Sequence, residues 1–266
     1  MSTVGTMKRP TAATSDRDPT APATVAGAAK VVGWGLAFWG GVQIASAVLD
    51  RKPLGSAVVQ AAVAEWGAGR IGIAWSNPLA PVPEWRAIAG RAGRGAALGG
   101  AAAALVVGSA LATRAASIGP TASIGPSIGL LGVGLCAATL TAVRDELLLR
   151  GVVLRATRGL LPTWASLLVC GAAAAAARFG VDGTSPVSLA AEALRGIALG
   201  ALWTRDRGAW MAFAANASWM WTLGAVTHGG LFDLRFLVEP DEATTALVVL
   251  AAFAFAAWAS IRRRHP

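Results

Sequence analysis

The hydrophobic residues of this chain fall into long, almost uncharged blocks, separated by short stretches that carry Pro, Gly and Arg. A block of roughly 20 such residues is long enough to cross a lipid bilayer as an α-helix. Seven blocks have this character: 31–49, 95–113, 128–143, 163–177, 187–203, 209–226 and 243–261. The pattern therefore predicts an all-α fold, a polytopic transmembrane helical bundle of seven or eight spans.

The uncertain span is residues 54–75, an apolar block that one acidic and one basic side chain interrupt. It fits an interfacial or re-entrant helix and equally an eighth span. The block before it ends in Ala-Ser-Ala at 45–47, which resembles a signal-peptidase cleavage site. The stretch ahead of that block is longer than the usual start of a signal peptide, so the pattern favours a retained span.

Composition and spacing divide the chain into four predicted regions. These are a disordered tail (1–29), an N-terminal transmembrane region with the interfacial segment (30–127), a core (128–227), and an acidic loop with the last span and a basic tail (228–266). The tail is rich in Thr, Ala, Pro and Asp and lacks a hydrophobic period. A duplicated Ala-Ser-Ile-Gly-Pro sequence at 116–120 and 122–126 predicts a loop.

Composition excludes a water-soluble globule, because 55% of the residues are hydrophobic and only 14% are charged, against about 25% charged in soluble proteins. The net charge is +9. Since the Lys and Arg residues lie between apolar blocks, we interpret them as setting the orientation in the membrane and as contacts with the lipid bilayer. We expect no nucleic-acid partner.

Loop charges also predict the orientation of the bundle, since Lys and Arg are retained in the cytoplasm. The three arginines at 262–264 face an acidic loop, 233–242, across the last span. We therefore expect a multi-pass protein of the cell membrane with a cytoplasmic C-terminus. Alternation places the arginines of 86–94, 150–158 and 205–207 on the same side. The first span stays open, because Arg51 and Lys52 also favour the cytoplasm.

Three charged side chains lie inside an apolar stretch, which makes them the first candidates for function. Asp145, Glu146 and Arg150 follow the block that begins at residue 128 and precede further apolar residues. If that helix continues to Thr157, Glu146 and Arg150 lie on one face of a membrane helix. Charges at such a position need partners or a polar cavity.

The helices that follow bring further polar groups towards Glu146. A turn after Thr157 starts a returning helix, and residues equally far from the turn lie at similar depth, which brings Arg178 near the carboxylates. The next span adds Glu192 and Arg195. At 1.5 Å per residue, Glu146 lies roughly 20 Å above its turn and Asn216 roughly 13 Å above its own. The two meet only if the helices tilt or the turns differ in length.

From residue 144 to 221 the chain resembles the CPBP family, membrane proteases that include CAAX-processing enzymes and bacteriocin self-immunity proteins. The family's first motif is Glu-Glu-x-x-x-Arg, usually followed by Gly. The corresponding residues here are Asp145, Glu146, Arg150 and Gly151.

The two later motifs depart from the family pattern. The second motif is Phe-x-x-x-His, and here Phe179 is followed by Gly183 at the histidine position. The third is His-x-x-x-Asn, and here Asn216 and Met220 occupy its two positions. Both motif histidines are therefore absent, and the remaining histidines, His228 and His265, lie elsewhere in the sequence.

The resemblance implies an intramembrane endopeptidase, a metalloprotease-type hydrolase that acts on membrane-associated peptides. It implies Glu146 and Asp145 as the acid/base pair, Arg150 as the residue that orients them, and Asn216 as a polar contact. Zinc is the metal that the family suggests, but no metal ligand can be assigned without the histidines.

Two other functions stay open. The first is a non-catalytic binding, immunity or scaffold protein in which the buried charges form a structural ion-pair network. The second is a small transporter that uses the same charges as its pathway. Cys136 and Cys170 each lie inside an apolar block and are interpreted as packing residues.

Overall fold

The structure, a computed structural model, describes residues 24–49, 53–76, 85–119, 124–178, 185–228 and 231–236. The predicted tail up to residue 23 and the predicted last span, 243–261, lie outside the described residues. Residues 25–29, which we assigned to the tail, instead form the start of the first helix. Thr24 caps that helix, because its side-chain oxygen accepts a hydrogen bond from the Gly27 amide at 3.1 Å.

Eight α-helices form the described part of the chain: α1 (Val25–Val48), α2 (Pro53–Arg70), α3 (Trp85–Ala112), α4 (Ile124–Asp145), α5 (Val152–Thr157), α6 (Thr163–Ala176), α7 (Pro186–Asp206) and α8 (Trp210–Trp221). A π-helical turn, Glu146–Gly151, joins α4 to α5, so the two form one continuous rod. A second π-helical turn, Thr222–Val226, extends α8.

The helices confirm an all-α, polytopic membrane bundle. Four of them are long and apolar enough to cross a bilayer: Val25–Val48, Trp85–Ala112, Ser127–Thr157 and Pro186–Asp206. Helix α6 is apolar but shorter. Together with α2 and α8, the described residues form seven helical rods, consistent with the predicted number of spans.

Helices α1 and α2 form an antiparallel hairpin. The Gln60 amide nitrogen donates to the Ser46 hydroxyl at 2.7 Å, and Gly67 lies against the ring of Phe38. Eighteen residues of α-helix extend about 27 Å, and α2 also packs against α4. Helix α2 is thus long enough to cross a bilayer but is not among the helices that are also apolar enough, so the choice between a span and an interfacial helix for the block at 54–75 stays open. Ser46, inside the apparent cleavage sequence, is part of the packed hairpin.

The closest helix contact lies between α3 and α8, and it depends on two glycines. A Cβ atom on Gly95 or Gly99 would collide with the backbone carbonyl of Met211 or Ala215, respectively. The missing side chains let the two backbones touch, as small residues do between membrane helices. This contact sets the position of α8, which carries Asn216.

The prediction of a loop at the duplicated sequence is wrong for its first copy and for the end of its second, where α4 begins at Ile124. Ala116–Gly119 forms strand β1, which pairs antiparallel with strand β2, Asp233–Phe236, so that Ala116 lies opposite Phe236. Part of the predicted acidic loop is therefore a strand. The pairing connects segments more than a hundred residues apart, and a local turn pattern carries no signal for it.

One apolar cluster packs directly around the candidate residues. It joins α1, α2, the π-helical turn and the start of α5 through five buried residues, Phe38, Val42, Ala64, Leu147 and Val152. Leu147 follows Glu146 directly and has 0% exposure. The rod that carries the predicted charges is thus fixed on its apolar side by two neighbouring helices.

Candidate functional site

The first predicted motif lies in the π-helical turn between α4 and α5. Glu146 begins this turn, Arg150 is in it, and both side chains have 0% exposure. The rod continues to Thr157, so the condition that we set for a charge pair inside a span is met. π-Helical turns are rare within helices and are frequent at functional sites.

Glu146 and Asn216 are in direct contact. The Asn216 side-chain nitrogen donates a hydrogen bond of 3.0 Å to Oε1 of Glu146, and Asn216 is 1% exposed. Our estimate of depth left the two residues at different heights. The structure brings together two residues that lie 70 positions apart.

The ion pair of Glu146 with Arg150 leaves several polar atoms without partners. Nη1 of Arg150 lies 3.3 Å from Oε1 of Glu146. Among the described residues, Oε2 of Glu146 and all three guanidinium nitrogens of Arg150 have no hydrogen-bond partner. A structural pair of this kind is usually bidentate, with both carboxylate oxygens engaged. Buried polar atoms without a protein partner are usually satisfied by ordered water or a ligand, and they are frequent at catalytic sites.

A chain of charged groups connects this buried pair to the surface of the bundle. Nη1 of Arg195 donates to the Asn216 side-chain oxygen at 2.9 Å. Arg195 also forms an ion pair with Glu192, its neighbour three residues earlier on α7. Glu192 lies 3.4 Å from Nε of Arg178, whose side chain is 56% exposed. Arg178 thus reaches the carboxylate of Glu192, whereas the sequence suggested Asp145 and Glu146.

Asp145 belongs to a different group of contacts. Nε of Arg144 lies 2.7 Å from Oδ1 of Asp145, and Nη1 of the same arginine donates to the Gln60 side-chain oxygen at 2.6 Å. The Asp145 carboxylate is therefore tied to Arg144, which in turn contacts α2. That Asp145 and Glu146 work as an acid/base pair stays a prediction, and in the structure the two side chains have different partners.

The described residues at the site do not fit a zinc ion. Nowhere in the described part of the chain do three His, Cys, Asp or Glu side chains come together as a metal site would require. The carboxylate is surrounded by Asn216 and two guanidinium groups, and a guanidinium repels a cation and cannot ligate one. His228 contacts Thr227 and the Gly224 carbonyl beyond the end of α8. Position 183 and His265 lie outside the described residues.

The two cysteines differ in environment, and neither is in a disulfide bond. Cys170 on α6 has 0% exposure and packs beside Gly200 of α7, as predicted for a packing residue. Cys136 is exposed on α4.

One comparison with known proteins bears on this site. Residues 127–222, which include Glu146, Arg150, Arg195 and Asn216, match the family model described as type II CAAX prenyl endopeptidase Rce1-like. This segment is similar to the CAAX protease family. The match covers a little over a third of the 266-residue chain. No curated protein and no solved structure matches the chain significantly.

The CAAX-protease-like segment ends just after α8, so it contains the complete chain of contacts from Arg150 to Glu192. The helices outside it, α1 to α3, supply the surroundings of the site. The sequence pattern singled out Glu146, Arg150 and Asn216. It did not identify Arg144 as the partner of Asp145. The two are neighbours in sequence, whereas the contact of Arg144 with Gln60 of α2 joins distant segments and has no local pattern.

Proposed function

We propose that this protein is an intramembrane endopeptidase that cleaves membrane-associated peptides of the CAAX type, with Glu146 as its acid/base residue. The observation that carries the proposal is the buried carboxylate of Glu146, which has one oxygen engaged and the other without a partner. The likeness to the CAAX prenyl endopeptidase family model supports the substrate class.

The reaction would begin at Oε2 of Glu146, which has the capacity to accept a hydrogen bond from water. The carboxylate removes a proton from that water, and the resulting hydroxide adds to the carbonyl carbon of the scissile peptide bond. The C–N bond then breaks, and Glu146 returns the proton to the leaving amine. A positioned general base of this kind contributes about 10²–10⁴ in rate.

The negative charge that develops on the carbonyl oxygen needs hydrogen-bond donors in a site without bulk water. Arg150 is buried and has N–H groups without partners among the described residues. The guanidinium is permanently charged and presents several donors in a fixed plane. Arg150 therefore supplies an oxyanion donor as well as the counter-charge to Glu146.

Asn216 is a positioning residue in this scheme. Its oxygen accepts from Arg195 and its nitrogen donates to Glu146. Because Arg195 is held by Glu192, the amide cannot reverse its direction without the loss of both hydrogen bonds. Oε1 of Glu146 therefore stays occupied, and Oε2 remains the oxygen that is available for water.

A second candidate function is a non-catalytic binding or immunity protein of the same family. The complete burial of Glu146 and the absence of both motif histidines favour it. In that case the unfilled polar atoms take up a polar group of a bound membrane peptide, and no bond is broken.

A cleavage assay on the purified full chain in lipid nanodiscs distinguishes the two functions. The probe is a synthetic farnesylated peptide with a CAAX-type C-terminus, and the control is the same peptide without the farnesyl group. Mass spectrometry of the products is expected to show shorter fragments of the farnesylated peptide only. Retention of the intact farnesylated peptide on the protein, without fragments after long incubation, would contradict the endopeptidase and support the binding protein.

A further inference from the structure

A polar cavity that Glu146 does not line lies at the end of the bundle that carries Arg155, Arg158 and Arg207. It has a volume of about 480 Å³, within the roughly 300–1,000 Å³ of common ligand sites. Its walls come from the segment after α2, from α5 and the turn after it, from the start of α6 and from the end of α7. Glu146 and Arg150 are not among the residues that line it.

The lining of this cavity is strongly cationic. Arg155, Arg158 and Arg207 all contribute to it, and the described lining residues include no Asp or Glu. Three guanidinium groups around one cavity repel each other, and an anion between them turns that repulsion into attraction. We propose that this cavity, the arginine pocket, binds the phosphate group of an anionic phospholipid.

The other polar groups of the arginine pocket also suit a phosphate. Four residues that carry a hydroxyl group are among its lining: Ser76, Thr163, Ser166 and Thr204. Helix α6 begins at Thr163 and has no side-chain cap on its first amides. The start of a helix carries partial positive charge and unpaired N–H groups, a combination that favours a bound anion.

The backbone leaves space for the Arg155 side chain at the rim of the pocket. Gly72 has a φ of +71°, and a Cβ atom there would lie 3.2 Å from Nη2 of Arg155. Few residues other than glycine adopt this conformation. The guanidinium of Arg155 therefore packs against the backbone of Gly72 at one side of the pocket. A planar guanidinium in this position can bind two phosphate oxygens at once.

The rim of the pocket favours a lipid as the source of the phosphate. Leu160, Leu161 and Trp164 lie beside it and are 40%, 43% and 67% exposed. Exposed apolar side chains next to arginines form the boundary that acyl chains and headgroups share. Basic pockets between membrane helices bind anionic headgroups by the same chemistry.

The test measures thermal unfolding of the purified full chain in detergent with added phosphatidylglycerol, phosphatidylcholine or inorganic phosphate. A ligand that binds only the folded state raises the midpoint of unfolding. We expect phosphatidylglycerol to raise it and phosphatidylcholine to leave it unchanged. The combined substitution Arg158→Gln and Arg207→Gln should weaken the apparent affinity roughly tenfold per arginine.

Arg86→Gln is the matched control, because it removes an exposed arginine outside the lining. It should bind phosphatidylglycerol like the wild type. Adding Arg155→Gln to the double variant should abolish the shift of the unfolding midpoint by phosphatidylglycerol. If this triple variant fails to fold, the double variant still tests the pocket. Equal shifts with both lipids, or an unchanged shift in the double variant, would overturn the proposal. An equal shift with inorganic phosphate would overturn the lipid as the source and assign the pocket to a soluble phosphate.

Discussion

Glu146 is the side chain on which the proposed chemistry depends, and its contacts connect two motifs of the sequence. Oε1 accepts a hydrogen bond from Asn216 and forms an ion pair with Arg150. Oε2 has no hydrogen-bond partner among the described residues. Buried charges left incompletely paired in this way are costly to keep. The arrangement makes the site sensitive to the loss of any one member.

Removal of the Asn216 amide should destabilise the folded protein. Asn216→Leu keeps the volume but leaves Oε1 of Glu146 and Nη1 of Arg195 without their present partners. An unsatisfied buried polar group costs about 1–3 kcal/mol, so we expect a loss of that order in the free energy of unfolding. Denaturation in mixed micelles measures it. Ser218→Ala, two residues later on α8, should change it by less than about 0.5 kcal/mol. A similar effect of both substitutions would argue against the network.

The pair of Glu146 and Arg150 is suited to a double-mutant comparison. Arg150→Met leaves a buried carboxylate without its counter-charge, and loss of one partner in a buried pair costs about 3–5 kcal/mol. The combination of Arg150→Met with Glu146→Leu removes both charges and should recover most of that loss. The free energy of unfolding of the two variants provides the test. If the combined variant is less stable than Arg150→Met alone, the two charges do not act as a pair.

At the scale of elements, the helix starts and ends were largely accessible from the sequence, and the contacts between helices were not. The hydrophobic blocks at 163–177 and 187–203 lie within a few residues of α6 and α7, because apolar length is a local property. The β1–β2 pairing and the Arg144–Gln60 contact depend on distant segments. The π-helical turn at Glu146 also has no pattern that the sequence displays.

The contact of α3 with α8 predicts that alanine has opposite effects on stability at two glycines of α3. Gly99→Ala places a methyl group against the Ala215 carbonyl and forces the helices apart, which should cost about 1–3 kcal/mol. Gly108→Ala has nothing within 4 Å of its new methyl group and should be neutral or stabilising by up to about 1 kcal/mol. The midpoint of unfolding of each variant measures the difference. Equal effects would contradict the close backbone contact.

At the scale of the whole molecule, the helix order places β1 and the start of α3 at opposite ends of the bundle. Helix α3 runs from Trp85 to Ala112, and β1 follows directly. The charge pattern predicts that the end with Arg86 is cytoplasmic. The interpretation of Arg51 and Lys52 stays open, since both lie outside the described residues.

Thiol labelling of intact cells tests this orientation. In a Cys136→Ser background, Ile118→Cys places a thiol on an exposed residue of β1, and Arg86→Cys places one on exposed α3. A membrane-impermeant maleimide should label the first variant in intact cells and the second only after the cells are opened. The reverse pattern would invert the predicted topology and leave the helical contacts unchanged.

The account as a whole depends on Glu146 acting as a base and not only as a structural anion. The most direct measurement is the cleavage rate of the farnesylated peptide by Glu146→Gln, together with its midpoint of unfolding. Glutamine keeps the acceptor oxygen for Asn216 but removes the counter-charge of Arg150, so the midpoint should fall. We predict that the rate per folded molecule falls by a further factor of roughly 10²–10⁴, because glutamine cannot take the proton from water. A variant that cleaves at the wild-type rate, or loses activity only in proportion to its folded fraction, would contradict the account.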